Sequence, residues 1–157
     1  MKGLFSSLAV LVLAVLPATG QKGSNTVVFV CPHGAAKSVV AAAYFNKMSA
    51  ERGLPYRAVV RGTEPGESLS PTAVNGLVAD GLPAPTGKPQ AISNEELRAA
   101  ARVVTLGCPL PPRVVAKKKH SDWNQVGDVN RDYAAARDVI AGLVTKLLDS
   151  MASAKRQ

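Results

Sequence analysis

The amino-acid sequence predicts an α/β fold: a single-domain, doubly wound sandwich with a central parallel sheet of about four strands and helices on both faces. Three observations carry this. Short β-branched apolar runs alternate with longer segments of helical periodicity, the pattern of right-handed strand–helix–strand crossovers. The chain's 157 residues suit one domain and contain no internal repeat. A short loop joins the first strand run to a helix start, which puts the expected ligand site at the carboxyl ends of the strands.

Thr26-Val27-Val28-Phe29-Val30 is an apolar, β-branched run and reads as a buried strand. From Ser38 to Arg52, Val40, Ala41, Tyr44, Phe45 and Met48 form a helical stripe that Gly53 ends. Tyr56 to Arg61 is the second strand, closed by Gly62. Ser70-Pro71 opens a helix, because serine is a favoured N-cap and proline a favoured first helical residue. Ala73, Val74, Leu77 and Val78 are its expected inner face, and Gly81 stops it. Gly81 to Pro89, rich in proline and glycine, reads as a connecting loop. Ser93 with Glu96 forms a capping box for a further helix. Val103-Val104-Thr105-Leu106 is the third strand. A long last helix is expected from about Asn130 to Ala152, with Tyr133, Ala136, Ile140, Leu143, Leu147 and Met151 on its apolar face. The fourth strand is not located by these patterns.

Residues 1–20 read as a cleaved signal peptide. Lys2 supplies the positive start, Leu4 to Leu16 is an uncharged apolar run, and Ala18-Thr19-Gly20 offers small residues for cleavage. The run is shorter than the roughly 20 residues that span a bilayer; the competing reading is an uncleaved anchor. The domain is then residues 21–157, exported to the periplasm or beyond, with no stable membrane anchor after cleavage.

Composition narrows the classes. With 46% hydrophobic residues the chain is too apolar for disorder, and two cysteines are too few for a disulfide scaffold. The net charge of +8 suits anionic partners. Arg113 with Lys117-Lys118-Lys119 is the densest basic cluster, placed either to steer anionic substrates, to favour acidic surfaces, or simply in a solvated loop. Nucleic acid is not an expected partner, because aromatic platforms are scarce at 4% of residues. His33 and His120 are the only histidines and stand in no metal-ligand spacing with cysteines and acids, so neither metal nor other cofactor is expected.

After the first strand the chain reads Cys31-Pro32-His33-Gly34-Ala35-Ala36-Lys37-Ser38, then helix. A short loop there turns backbone N–H groups inward as an anion cradle. The helix dipole and Lys37 favour a thiolate at Cys31, and Ser38 is placed to donate a hydrogen bond to it. A buried structural cysteine ending a strand is the plain alternative.

This strand, C-x5-basic-Ser, helix arrangement resembles the phosphate loop of the low-molecular-weight protein tyrosine phosphatases and the related thioredoxin-coupled arsenate reductases. The resemblance extends to Arg61-Gly62-Thr63 after strand two, Ser70-Pro71-Thr72-Ala73-Val74 with Asp80-Gly81-Leu82, and Val103 to Cys108. It ends with Asp122-Trp123, Asp128 and the helix bearing Arg137-Asp138. It implies that Cys31 is the nucleophile, that residues 32–38 cradle a phosphoryl or similar oxyanion, and that an aspartate protonates the leaving group. Asp128 is the candidate acid and Asp122 a weaker substitute.

The departures matter as much. Lys37 stands where the family has arginine, and a lysine lacks the planar two-pronged grip on oxyanion oxygens. Gly34 replaces the usual asparagine, a benign change where the backbone needs positive φ. Asp128 is not followed by the family's proline. The reductases relay a disulfide through two further cysteines; here only Cys108 remains, a possible redox partner of Cys31 served by a thiol reductant. The resemblance therefore implies a cysteine-dependent phosphatase acting on phosphomonoesters or phosphotyrosine. An arsenate reductase-like enzyme and a catalytically weakened oxyanion-binding relative are the alternatives.

Overall fold

The computed structural model describes residues 24–83 and 85–154. The signal peptide expected over residues 1–20 lies outside them. The elements run β1 (Thr26–Cys31), α1 (Lys37–Glu51), β2 (Arg57–Gly62), α2 (Pro71–Ala79), α3 (Asn94–Ala99), β3 (Arg102–Thr105), a 3-10 turn (Lys117–Lys119), β4 (His120–Asp122) and α4 (Tyr133–Ala154). The sheet is four-stranded in the order β2-β1-β3-β4, with every pairing parallel. The chain winds outward from β1 to β2 and then back across to β3. The crevice beyond the ends of β1 and β3 is thus the topological switch point, where such sheets bind ligands.

Alternation along β1 divides the core. Val27, Phe29 and Cys31 join the cluster formed with α1, α2 and α4, while Val28 and Val30 join Leu97, Ala100, Val103 and Cys108 on the other face. The second face is thin: short α3 covers it with Ile92, Leu110, Val114 and Val115 packed alongside. In the thick layer Phe29 is the centre, its ring 5.7 Å from that of Phe45 and 5.5 Å from that of Trp123.

The sequence signals for α2 and α3 act as read. Ser70 Oγ accepts from Ala73 N at 3.1 Å. Ser93 and Glu96 make the reciprocal capping box. Three expectations are corrected. Val78 is 54% exposed, because α2 is only nine residues long and buries Ala73 and Leu77 alone. The last helix starts at Tyr133 and not at Asn130: Asp128 Oδ1 accepts from Asn130 N in a side-chain turn, and Asp132 Oδ1 accepts from Ala135 N at the true start. Its inner face also includes Val144 and Leu148.

β4 is the strand that pattern reading does not locate. His120-Ser121-Asp122 has no apolar run, and hydrogen bonds hold it instead. Thr105, 1% exposed, donates its hydroxyl to Asp122 Oδ1 at 2.9 Å. Its one proton is thereby committed, so His120 Nε2, 2.9 Å from the same oxygen, donates to it.

Asp80, just past the end of α2, ties three helices together. It accepts from Tyr44 Oη of α1 at 2.8 Å, and from Tyr133 Oη at 2.6 Å and Arg137 Nη1 at 2.9 Å of α4. Tyr133 packs against α2 at Gly76, where any Cβ would clash with its ring. Burial works to raise the Asp80 pKa, but the three donors outweigh it and hold the carboxyl below its ordinary value of 3.8. Burial and the Asp80 hydrogen bond push Tyr44 up to about 12. A depressed carboxyl adds stability that is present above its ordinary range and lost as pH falls through its folded-state value. We therefore expect Asp80→Asn to lower unfolding free energy at neutral pH by about 1–3 kcal/mol. Denaturant titrations should show this gap narrowing as pH drops below 3.8.

Candidate active site

Cys31 ends β1 and α1 begins at Lys37, so the intervening backbone reverses within residues 32–36. Gly34 makes this possible. Its φ is +61°, a conformation that side chains disfavour, and it packs on the end of β2 so tightly that a Cβ would lie 2.9 Å from Gly62 N. Gly62 is equally constrained, since a Cβ there would lie 2.9 Å from Gly34 N. The turn depends on two facing glycines.

The carbonyls of this loop are held from outside. Thr63 N, Glu64 N, Gly66 N and Ser70 N donate to the oxygens of Cys31, Pro32, His33 and Ala35, at 3.3, 2.8, 3.0 and 2.9 Å. Val40 N takes the Ala36 oxygen at 3.1 Å. The N–H groups of residues 33–39 donate to nothing among the described residues. No side chain caps the α1 N-terminus either. A row of free donors at the positive end of a 15-residue helix is a site for an anion.

Beneath it, Cys31 Sγ lies 3.0 Å from Ser38 Oγ. The two side chains are 4% and 0% exposed. Ser38 is too deep to touch a substrate; it acts through the sulfur, and to a thiolate it can only donate. Lys37 reaches across the crevice, its Nζ 3.8 Å from where a Cβ on Gly107 would sit. Glycine after β3 leaves room for that ammonium, which has no carboxylate partner among the described residues.

A cavity of about 620 Å³ opens above the sulfur. Pro32, His33, Ala35, Ala36 and Lys37 line it on the loop side, and Asp128 with Asn130 lines it opposite. Gly34 and Ser38, predicted with the loop, lie behind this lining. His33 stands exposed on the rim and donates from Nδ1 to the Glu64 carbonyl at 3.1 Å. No phenylalanine, tyrosine or tryptophan lines the cavity. Asp122 is not in it; Thr105 and Asn124 occupy its two oxygens. Ser70 and Asn130 are in the wall and were not singled out as site residues: Ser70 Oγ donates to Asn130 Oδ1 at 2.5 Å, joining the start of α2 to the Asp128 turn. Ser70 is visible in the sequence as an N-cap; nothing there marks Asn130.

Cys108 is a free thiol, as is Cys31. It packs in the cluster on the other face of the sheet and donates to the Val30 carbonyl at 3.5 Å. Burial raises its pKa, with the Leu106 backbone opposing. A buried thiol packed on the opposite face of the sheet from Cys31, with burial disfavouring its thiolate, is poorly placed to resolve a bond at Cys31.

With this geometry in hand, the comparisons with known proteins are direct. Residues 26–120 match the model of the "Low molecular weight phosphotyrosine protein phosphatase" family. The chain belongs to that family. Among solved structures it resembles a low molecular weight protein tyrosine phosphatase from T. tengcongensis, with a TM-score of 0.70 and 21% identity over 81% of this chain and 99% of that one. An arsenate reductase from Archaeoglobus fulgidus DSM 4304 matches with a TM-score of 0.63 and 29% identity, over 78% of this chain and 98% of that one. A thioredoxin-dependent arsenate reductase from Corynebacterium glutamicum matches at 0.66 and 24%, over 82% of this chain and 62% of that one. A search of curated proteins finds no match.

The glycine pair gives the site its sharpest structural test. Gly34→Ala is expected to force the loop off β2, weakening inorganic phosphate binding at least tenfold and costing about 1–3 kcal/mol of stability. Calorimetric titration and thermal unfolding measure the two effects.

Proposed function

We propose that this protein is an exported cysteine-dependent phosphatase of small phosphomonoesters or phosphotyrosine. The observation that carries it is the Cys31–Ser38 contact of 3.0 Å directly beneath a loop whose N–H groups have no partner among the described residues. Export rests on the residue pattern of the leader alone.

In the proposed reaction Cys31 thiolate attacks phosphorus. A sulfur–phosphorus bond forms, the ester phosphorus–oxygen bond breaks, and Asp128 gives its proton to the departing oxygen. The loop N–H groups and Lys37 stabilise the charge on the transferring oxygens. Asp128 then takes a proton from the water that hydrolyses the cysteinyl phosphate. The wall without phenylalanine, tyrosine or tryptophan favours compact phosphoryl groups over a stacked phenol ring.

Lys37 supports a second reading, that of an oxyanion-binding relative with weak turnover, because a point charge grips the transition state less well than a fork. Arsenate reduction, the activity named for two of the solved relatives, has less support here, given that Cys108 is buried in the cluster on the other face of the sheet and no further cysteine follows it.

The experiment is hydrolysis of p-nitrophenyl phosphate by the purified protein. Turnover lost in Cys31→Ser supports the enzyme; phosphate binding without turnover favours the second reading. Lys37→Arg is expected to raise kcat roughly tenfold. Asp128→Asn is expected to slow alkyl phosphates about 100-fold and p-nitrophenyl phosphate less, since that leaving group needs little protonation. Arsenate-dependent loss of two free thiols would instead establish the reductase reading.

A further inference from the structure

Ser70 fixes the orientation of an amide in the cavity wall. Its Oγ accepts from Ala73 N at 3.1 Å, so its single proton goes to Asn130 Oδ1, 2.5 Å away. An amide oxygen only accepts, and Ser70 is itself buried, so the contact selects one of the two ways Asn130 can face. Asn130 Nδ2 is left without an acceptor among the described residues. It is the free end of an exposed side chain that lines the cavity.

Asn130 also stands beside the acid. Its backbone N–H donates to Asp128 Oδ1 at 2.9 Å, and Asp128 Oδ2 has no partner among the described residues. In a protonated carboxyl the oxygen that accepts an N–H is the carbonyl oxygen, so the proton sits on Oδ2. The proton donor and the free amide therefore share the side of the cavity opposite the loop. In an in-line attack from Cys31, that is the side on which the leaving group departs.

We propose that Asn130 determines specificity: its Nδ2 donates to an oxygen on the leaving group and selects phosphomonoesters of neutral polyols over those of plain alcohols. The proposal rests on the phosphatase reading above. An amide nitrogen donates and does not accept, so its partner is an oxygen with a free lone pair. Asp128, and Glu67 between the lining residues Gly66 and Ser68, make this side anionic and disfavour a carboxylate there. A hydroxyl or ether oxygen remains. Pro32, Leu69, Pro71 and Leu106 give the same cavity apolar surface for the carbon chain. Ser70 is the positioning residue, since without its hydroxyl the amide is free to present either end.

The test compares kcat/KM for methoxyethyl phosphate and butyl phosphate, which differ by an ether oxygen in place of a methylene. Asn130→Asp keeps an oxygen for Ser70 and removes the donor. Its added charge acts on both esters alike, and the intrinsic difference between the two leaving groups cancels when variant and wild type are compared. The ether-to-alkyl ratio is expected to fall about fivefold in Asn130→Asp. It should fall likewise in Ser70→Ala and return in Ser70→Thr, which keeps the hydroxyl. An unchanged ratio in Asn130→Asp would overturn the proposal. An equal loss of kcat on both esters would overturn it as well, assigning the amide to the shared hydrolysis of the cysteinyl phosphate. Absence of turnover in the wild type would sink the phosphatase reading instead. Calorimetric Kd values for the same two esters then decide the proposal, an unaltered ratio in Asn130→Asp again counting against it.

Discussion

The contact between Gly34 and Gly62 is the constraint on which the rest of the site depends. Two backbones meet there with no side chain between them, and only that approach lets the chain turn from β1 into α1 within residues 32–36. Once the loop is pressed against β2, its carbonyls meet the N–H groups of residues 63–70 and are satisfied outward. Its own N–H groups are left without an acceptor among the described residues. The anion cradle is thus the remainder of a hydrogen-bond account: what the segment after β2 satisfies on one side, it leaves open on the other. Sulfur, hydroxyl and ammonium are then placed by the ends of β1 and α1.

Much of this was legible in the sequence because it depends on local chemistry. Proline after serine, serine three residues before glutamate, and β-branched runs each determine an element through forces acting within a few residues. The cradle residues were legible for the same reason, being contiguous. What was not legible is non-local. β4 forms because Thr105 holds His120 and Asp122 from a neighbouring strand, and a three-residue polar segment carries no trace of that. Val78 fits the helical period but falls outside the core because the short α2 buries only Ala73 and Leu77. Asn130 enters the wall only through Ser70, 60 positions away. Asp122 and Asp128 are alike in sequence; the structure separates them by partner, one saturated by Thr105 and Asn124, the other open to the cavity.

The helix anchor and the cradle are coupled through α2. Asp80 fixes its end to α1 and α4, while Ser70 fixes its start to the Asp128 turn and, through its own N–H, to the loop at Ala35. α2 thereby sets the distance between nucleophile and candidate acid. The nucleophile and acid of the proposed reaction are thus positioned through a helix that itself carries neither.

Lys37 has to be weighed against that preorganisation. An arginine adds two directed donors to the oxyanion; a lysine adds one charge whose three protons point where the ammonium rotates. The backbone donors do not change with the substitution, because Gly34, Gly62 and the carbonyl partners hold them. Binding, which needs charge and donors in the ground state, is then retained better than turnover, which needs added stabilisation as charge shifts towards the leaving oxygen. In the proposed reaction the side chain at position 37 is therefore the group that separates binding from turnover.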